Sequence, residues 1–144
     1  PINDKWIFKG YIDIVLKNKK TGRYVIIDYK TAPSLYMWER RLTTEASYQL
    51  AFYKYFWSKK HDIPIEDIDT QYELLFKSPK KTESCVMSKP FKISTRKMNN
   101  ALKSLKGVLA QIEFAQRFNK FHGTNNSQTC KFCEFHNTEH CIGV

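Results

Sequence analysis

The sequence predicts an α/β domain in which a central mixed sheet is flanked by helices and followed by a cysteine-bearing C-terminal metal-binding segment. Three observations carry this. Short runs rich in β-branched and aromatic residues recur at 6–16, 24–30, 69–77 and 84–93. Two longer stretches, 43–60 and 94–119, place apolar residues at helical intervals. Three of the four cysteines crowd the last fifteen residues.

Residues 6–16 read WIFKGYIDIVL, and the turn-forming stretch 18–22 separates them from 24–30, so the two runs predict a β-hairpin. On an alternating strand Tyr11, Asp13 and Val15 share one face while Ile12, Ile14 and Leu16 share the other, which sets Asp13 among apolar neighbours. In the second strand Ile26, Asp28 and Lys30 share a face, and Ile27 and Tyr29 point oppositely. Residues 31–41, which include Pro33, read as a loop. A helix follows over 43–60 with Thr43 or Thr44 as its cap. Its apolar stripe is Tyr48, Ala51, Phe52, Tyr55 and Phe56, and Glu45, Gln49 and Tyr53 fall at steps of four along a neighbouring stripe. Tyr72, Leu74 and Phe76 alternate along the third strand, 69–77, and a polar turn at 78–83 leads into the fourth, 84–93. Ser94 caps the second helix, 94–119, whose apolar face is Met98, Ala101, Leu105, Val108, Ile112 and Ala115. The chain turns polar over 121–127 and holds no internal repeat or low-complexity tract.

At 144 residues and 42% hydrophobic composition, the chain is long enough to bury one core, which favours a single domain. No stretch approaches the roughly 18 consecutive apolar residues of a spanning helix, and the N-terminus lacks a signal-peptide pattern. The chain has no starting methionine and opens five residues before its first apolar run, as expected of a piece cut from a longer protein. The net charge of +10 favours polyanionic partners through counterion release, nucleic acid first among them. The excess is spread over Lys17, Lys19, Lys20, Lys77, Lys80, Lys81, Arg96, Lys97, Lys103 and Lys106, which suits a long backbone-tracking surface better than a tail. With Cys85 alone in mid-chain, the cysteines do not form a secreted disulfide framework, and a reducing, cytoplasmic compartment is expected.

The chemistry concentrates at Asp13 and at Asp28-Tyr29-Lys30, fifteen residues further on. Burying an acid inside an apolar strand is expensive without charge or hydrogen bonds to offset it. A hard dication such as Mg2+ or Mn2+ offsets that cost, because it prefers carboxylate, carbonyl and water oxygens. Asp13, Asp28 and the main-chain carbonyl of Tyr29 make a suitable partial shell. A lysine beside a metal can position or deprotonate water, and the cation acidifies that water and stabilises phosphoryl charge. The competing reading is that the two acids merely end their strands or pair with Lys30.

The segments GYIDIVL, VIIDYKT and YQLAFY, in this order and at these intervals, resemble the core of PD-(D/E)XK nucleases of the RecB-like exonuclease branch, which includes CRISPR-associated exonucleases and the AddAB helicase-nuclease. The likeness is close over residues 8–53 and general beyond. It implies a restriction-endonuclease-like core, with Asp13 and Asp28 as metal-binding carboxylates and Lys30 as the catalytic lysine. It also implies that Gln49 and Tyr53 lie beside the active site, contacting DNA or orienting the lysine. Members usually carry an upstream helix with a further histidine or acid that completes the metal shell. Nothing before Pro1 supplies it here, and Glu45 is the nearest substitute by helical geometry.

Cys130, Cys133 and Cys141 form C-x2-C-x7-C with His136 and His140 interleaved, and the tight pair lets two thiolates reach one ion from a single turn. Many RecB-like nucleases bind a 4Fe-4S cluster through three C-terminal cysteines and one upstream. By that resemblance the three cysteines would hold a cluster, the fourth ligand coming from Cys85 or from residues before Pro1. Zn2+ held by the three cysteines with His136 or His140 is the alternative, and free thiols the third reading.

These readings set residues 1–128 as the nuclease core, its N-terminal part missing, and 129–144 as a metal or cluster segment packed on the same domain. The expected activity is metal-dependent cleavage of DNA, as an exonuclease on ends or single strands, in recombination, repair or phage DNA metabolism, with a helicase as a possible partner. A bacterial or phage-infected cell is the expected setting. The alternatives are a catalytically silent nucleic-acid-binding module and a helicase-docking module with a structural metal.

Overall fold

The computed structural model describes residues 5–42, 44–77, 84–120, 127–139 and 141, and the side chains of residues 41, 44–46, 127 and 129 lie outside that description. The expected caps Thr43 and Thr44, the substitute ligand Glu45, the basic pair Lys80 and Lys81, the turn 78–83 and His140 therefore fall outside it, as does most of 121–127. The chain divides into two compact units, Pro1–Leu102 and Lys103–Val144.

The first unit is built on a four-stranded mixed sheet in the order β1-β2-β3-β4, with β1 Ile14–Lys17, β2 Tyr24–Ala32, β3 Ile68–Phe76 and β4 Val86–Pro90. The β1/β2 and β3/β4 pairs are antiparallel, and the β2/β3 pair is parallel. A parallel pair needs a crossover, and here α1 (Leu35–Arg41), α2 (Thr44–His61) and a short 3-10 turn at Ile65–Asp67 supply it. The β1–β2 connection is pinned at Asn18, whose side-chain oxygen accepts from the backbone N–H groups of Lys20 and Thr21. Gly22 closes that turn at a φ of 74°, a conformation that carries no penalty only without a Cβ.

The expected first strand is much shorter than the apolar run 6–16 suggested. Residues 6–12 form no strand and Asp13 sits at a bend, because the groups that would continue the ladder are taken by side chains. The Asp13 carboxylate accepts from Tyr29 N–H at 2.8 Å, and the Tyr11 carbonyl accepts from the Tyr53 hydroxyl at 2.6 Å. Asp13 is consequently exposed rather than set among apolar neighbours.

The expected loop 31–41 is instead the end of β2 followed by α1. Ser34 caps this helix, its hydroxyl accepting from Met37 N–H at 3.3 Å. Ser34 follows Pro33, the residue behind the expectation of a loop. The cap lets the helix start immediately afterwards and turn Trp38 into the core, edge-on to Tyr72 at 5.2 Å between ring centroids.

Fully buried Ile26, Leu50, Ile68, Tyr72 and Leu74 form the centre of the core between α2 and the sheet. Of the α2 stripe expected to be apolar, Ala51 is fully buried while Tyr48, Phe52, Tyr55 and Phe56 are half-buried, and Leu50 and Tyr53 are buried beside it. Part of that stripe is covered by the N-terminal segment, whose Phe8 ring stacks on Phe56 at 4.6 Å and tilts against Phe52 at 5.3 Å. α3, Thr95–Phe118, starts at Ser94 as expected, with the Ser94 hydroxyl accepting from Lys97 N–H. Its Met98 and Ala101 are buried, whereas Val108 and Ile112, read as part of the same apolar face, are exposed. In the second unit a four-residue helix, α4 (Ser127–Cys130), precedes a run of turns. Among the described residues no helix is long and apolar enough to cross a membrane.

Candidate active site

Three elements converge where β1 begins, beside the middle of β2. Ile14 stands opposite Ile27, so Asp13, just before β1, and Asp28, just after Ile27, come to the same place. The two carboxylates differ in surroundings. Asp13 is exposed and spends one oxygen on Tyr29 N–H, while Asp28 is 2% exposed. Burial drives the Asp28 carboxyl above the ordinary carboxylate range; contact with Lys30 and its charge pull it back, and the charge of Asp13 pushes it up again. Lys30 Nζ lies 2.5 Å from Asp28 Oδ2, which is otherwise buried without a hydrogen-bond partner.

Lys30 is itself held by a relay. Its ammonium donates to Gln49 Oε1 at 2.9 Å, Gln49 Nε2 donates to the Tyr53 hydroxyl at 2.9 Å, and that hydroxyl donates to the Tyr11 carbonyl. Gln49 and Tyr53 lie four residues apart on α2, the interval at which helix side chains meet. The relay thus ties β2, α2 and the N-terminal segment to one ammonium group. Gly10 permits this closeness, since a Cβ there would stand 2.9 Å from Tyr53 Cε1.

The structure therefore brings together every residue that the sequence nominated around Asp28: Asp13, Tyr29, Lys30, Gln49 and Tyr53. It adds Tyr72, which the sequence marked only as an alternating strand position. Tyr72 pairs with Asp28 across the parallel β2/β3 ladder and is fully buried. Burial and the charge of Asp28 hold its phenol above its ordinary range, and therefore protonated. Only the register of β2 against β3 could have revealed this neighbour.

The donor set suits a small oxygen-loving dication. Mg2+ commonly takes one or two carboxylates and completes its shell with water and substrate phosphates. Asp13 and Asp28 are two such carboxylates, and the buried Oδ2 of Asp28, whose contact is the Lys30 ammonium, is an oxygen that gains from a further cation. Among the described residues no group of three or more His, Cys, Asp and Glu is placed to hold a metal.

In the second unit no disulfide joins the described cysteines, of which Cys130 and Cys141 are half-buried and Cys133 is exposed. Backbone turns link them: Cys133 N–H donates to Cys130 O, His136 N–H to Cys133 O and Cys141 N–H to Thr138 O. Their side chains do not converge on one point with His136.

A mixed sheet flanked by helices, with two acids and a relay-held lysine where β1 meets the middle of β2, makes a carboxylate-lysine centre on an architecture consistent with a restriction-endonuclease-like fold. The family model of the PD-(D/E)XK nuclease superfamily matches residues 3–138, and the chain belongs to that superfamily. Its members are typically metal-dependent nucleases that use Mg2+ or Mn2+. No curated protein and no solved structure matches the chain.

If the relay holds Lys30 in its working position, Gln49→Leu lowers kcat about ten- to a hundredfold, as expected for losing a hydrogen bond to a charged group. KM changes little by comparison. Single-turnover cleavage compared with steady-state kinetics separates the two.

Proposed function

We propose that this domain hydrolyses phosphodiester bonds in DNA with Mg2+ or Mn2+, as an exonuclease of the RecB-like branch acting in recombination, repair or phage DNA metabolism. One observation carries the reading: a half-buried lysine, oriented by Gln49 and Tyr53, stands 2.5 Å from a buried carboxylate oxygen for which it is the neutralising cation. The metal ligands are Asp13, Asp28 and the Tyr29 carbonyl. A bound dication would acidify water and stabilise charge on the phosphoryl oxygens. Lys30 orients the attacking water and takes or returns its proton, Gln49 and Tyr53 keep Nζ directed at it, and Asp13 ties the Tyr29 backbone to β1. The net charge of +10 supplies attraction for the DNA backbone, and a helicase is the partner that the RecB-like resemblance suggests.

Degradation of labelled DNA with Mg2+ or Mn2+, on wild type, Asp28→Asn and Lys30→Ala, tests the site. Cleavage that survives both substitutions overturns it. DNA binding by the wild type without any cleavage favours a silent binding module.

For the second unit the proposal is a structural 4Fe-4S cluster on Cys130, Cys133 and Cys141, with a fourth cysteine as the remaining ligand. The resemblance and the C-x2-C spacing support it. Full-length protein purified without oxygen is then expected to be brown, with iron and sulfide in equal amounts. Colourless protein with stoichiometric zinc replaces the cluster with a Cys3His site using His136 or His140.

A further inference from the structure

Beside the relay lies a groove that the proposed chemistry does not use. Its volume is about 460 Å³, and it runs between residues 8–12 and the Tyr53–Lys60 part of α2. That size is typical of pockets for small organic groups. One wall is the N-terminal segment, with Phe8 and Tyr11, and the other is helical, with Tyr53, Phe56 and Trp57. Tyr11 is unusual in this setting, since its ring is 75% exposed while its carbonyl is fixed by Tyr53. An exposed aromatic ring on an anchored backbone offers a face on which a planar base can stack. The Lys9 ammonium lies 5.3 Å from the centre of that ring, and Lys60 is exposed on the helical wall. The groove is thus aromatic with ammonium groups on both walls, a chemistry that suits a planar base attached to a phosphate.

Tyr53 belongs to both places. Its hydroxyl is part of the relay to Lys30, and its ring lines the groove. A strand with one phosphate at Asp13, Asp28 and Lys30 would bring a neighbouring nucleotide to Tyr11. A base in a paired, stacked duplex cannot enter such a groove without leaving its partner. We infer that the groove takes one unpaired nucleotide of single-stranded DNA, Tyr11 stacking on the base and Lys9 and Lys60 meeting the backbone. The substrate of the site is therefore a single strand or a frayed end. The inference rests on the nuclease reading for where the strand is cut, and on the groove alone for how it is held.

Binding in EDTA of a fluorescent oligothymidylate and of a blunt duplex of equal length tests it by anisotropy, on the whole chain. Wild type is expected to prefer the single strand at least about tenfold. Tyr11→Ala lowers single-strand affinity about ten- to a hundredfold and leaves the duplex unchanged, while Tyr11→Phe retains the preference. Lys60→Ala lowers the slope of single-strand affinity against salt by about 0.7. Both side chains are exposed, so neither substitution threatens the fold. Equal binding of both DNAs, or indifference of single-strand binding to both Tyr11→Ala and Lys60→Ala, overturns the inference. If cleavage depends on Lys30 but binding ignores Tyr11 and Lys60, the groove assignment falls and the nuclease reading stands. If Tyr11 governs strand preference but Mg2+ and Mn2+ support no cleavage, the nuclease reading falls and the groove assignment stands.

Discussion

Asp28→Asn is expected to reduce metal-dependent cleavage at least about a thousandfold, because a dication at this site is worth several kcal/mol of charge stabilisation and each 1.36 kcal/mol is a factor of ten. In the same variant the metal-free fold is expected to be no less stable than wild type at neutral pH. The reason is the sign of the Asp28 shift. Burial raises its pKa above the ordinary carboxylate range, so the folded protein holds that proton more tightly than the unfolded chain does. The stabilising contribution of the protonated form is complete below the unfolded pKa and is lost as pH rises through the folded one. At neutral pH the ionised carboxylate is a cost to the fold that asparagine does not carry. Melting curves in EDTA should therefore show wild type gaining on Asp28→Asn as pH falls through the carboxylate range. Mg2+ should raise the melting temperature of wild type and not of Asp28→Asn. A wild type that instead loses ground to Asp28→Asn on acidification would mean that Asp28 is not a buried acid awaiting a cation.

Lys30→Ala is expected to lower kcat by about a hundred- to ten-thousandfold, the range for loss of a positioned proton-transfer group. It differs from Asp28→Asn in its other effects. Metal binding survives, since both carboxylates remain. The fold, however, loses the cation that offsets Asp28. The contact with Lys30 is what pulls the Asp28 carboxyl down, so its removal lets burial raise it further. Lys30→Ala is thus destabilised without metal at neutral pH, and recovers both on acidification and on adding Mg2+. Isothermal titration with Mg2+ and melting at two pH values check this. A variant that binds no metal, or that melts like wild type in EDTA at neutral pH, would show that Lys30 does not neutralise Asp28. Gln49→Leu leaves the ion pair in place and should share the catalytic loss in milder form without that destabilisation.

Much of this centre was legible from short-range pattern. Asp28-Tyr29-Lys30 follows an apolar run that could hardly be anything but a strand, and Gln49 and Tyr53 sit four apart on a stretch with helical spacing. The Ser94 cap and the third strand, expected at 69–77 and found at Ile68–Phe76, were equally local. The failures are equally instructive. The run 6–16 has strand composition throughout, yet only Ile14–Lys17 pairs, because side chains of Asp13 and Tyr53 take the backbone groups further ladder bonds would use. The helix at Leu35–Arg41 was hidden by Pro33, although Ser34 is a capping residue in plain view.

What the sequence determined by itself is therefore the chemistry and its carriers: an acid-x-lysine on a strand, a preceding acid, a helix with an amide and a phenol on one stripe, and a basic surface. These depend on periodicities of two and of 3.6 residues, which a chain expresses wherever it folds. Only the tertiary structure decided that Asp28 is buried while Asp13 is not, that Tyr72 stands beside Asp28, and that Tyr53 reaches back to Tyr11 and opens an aromatic groove next to Lys30. Each of those depends on groups separated by 42 or 44 residues meeting through a parallel register or a helix laid across a sheet. No local pattern encodes such a meeting, because it is chosen by the packing of the whole core.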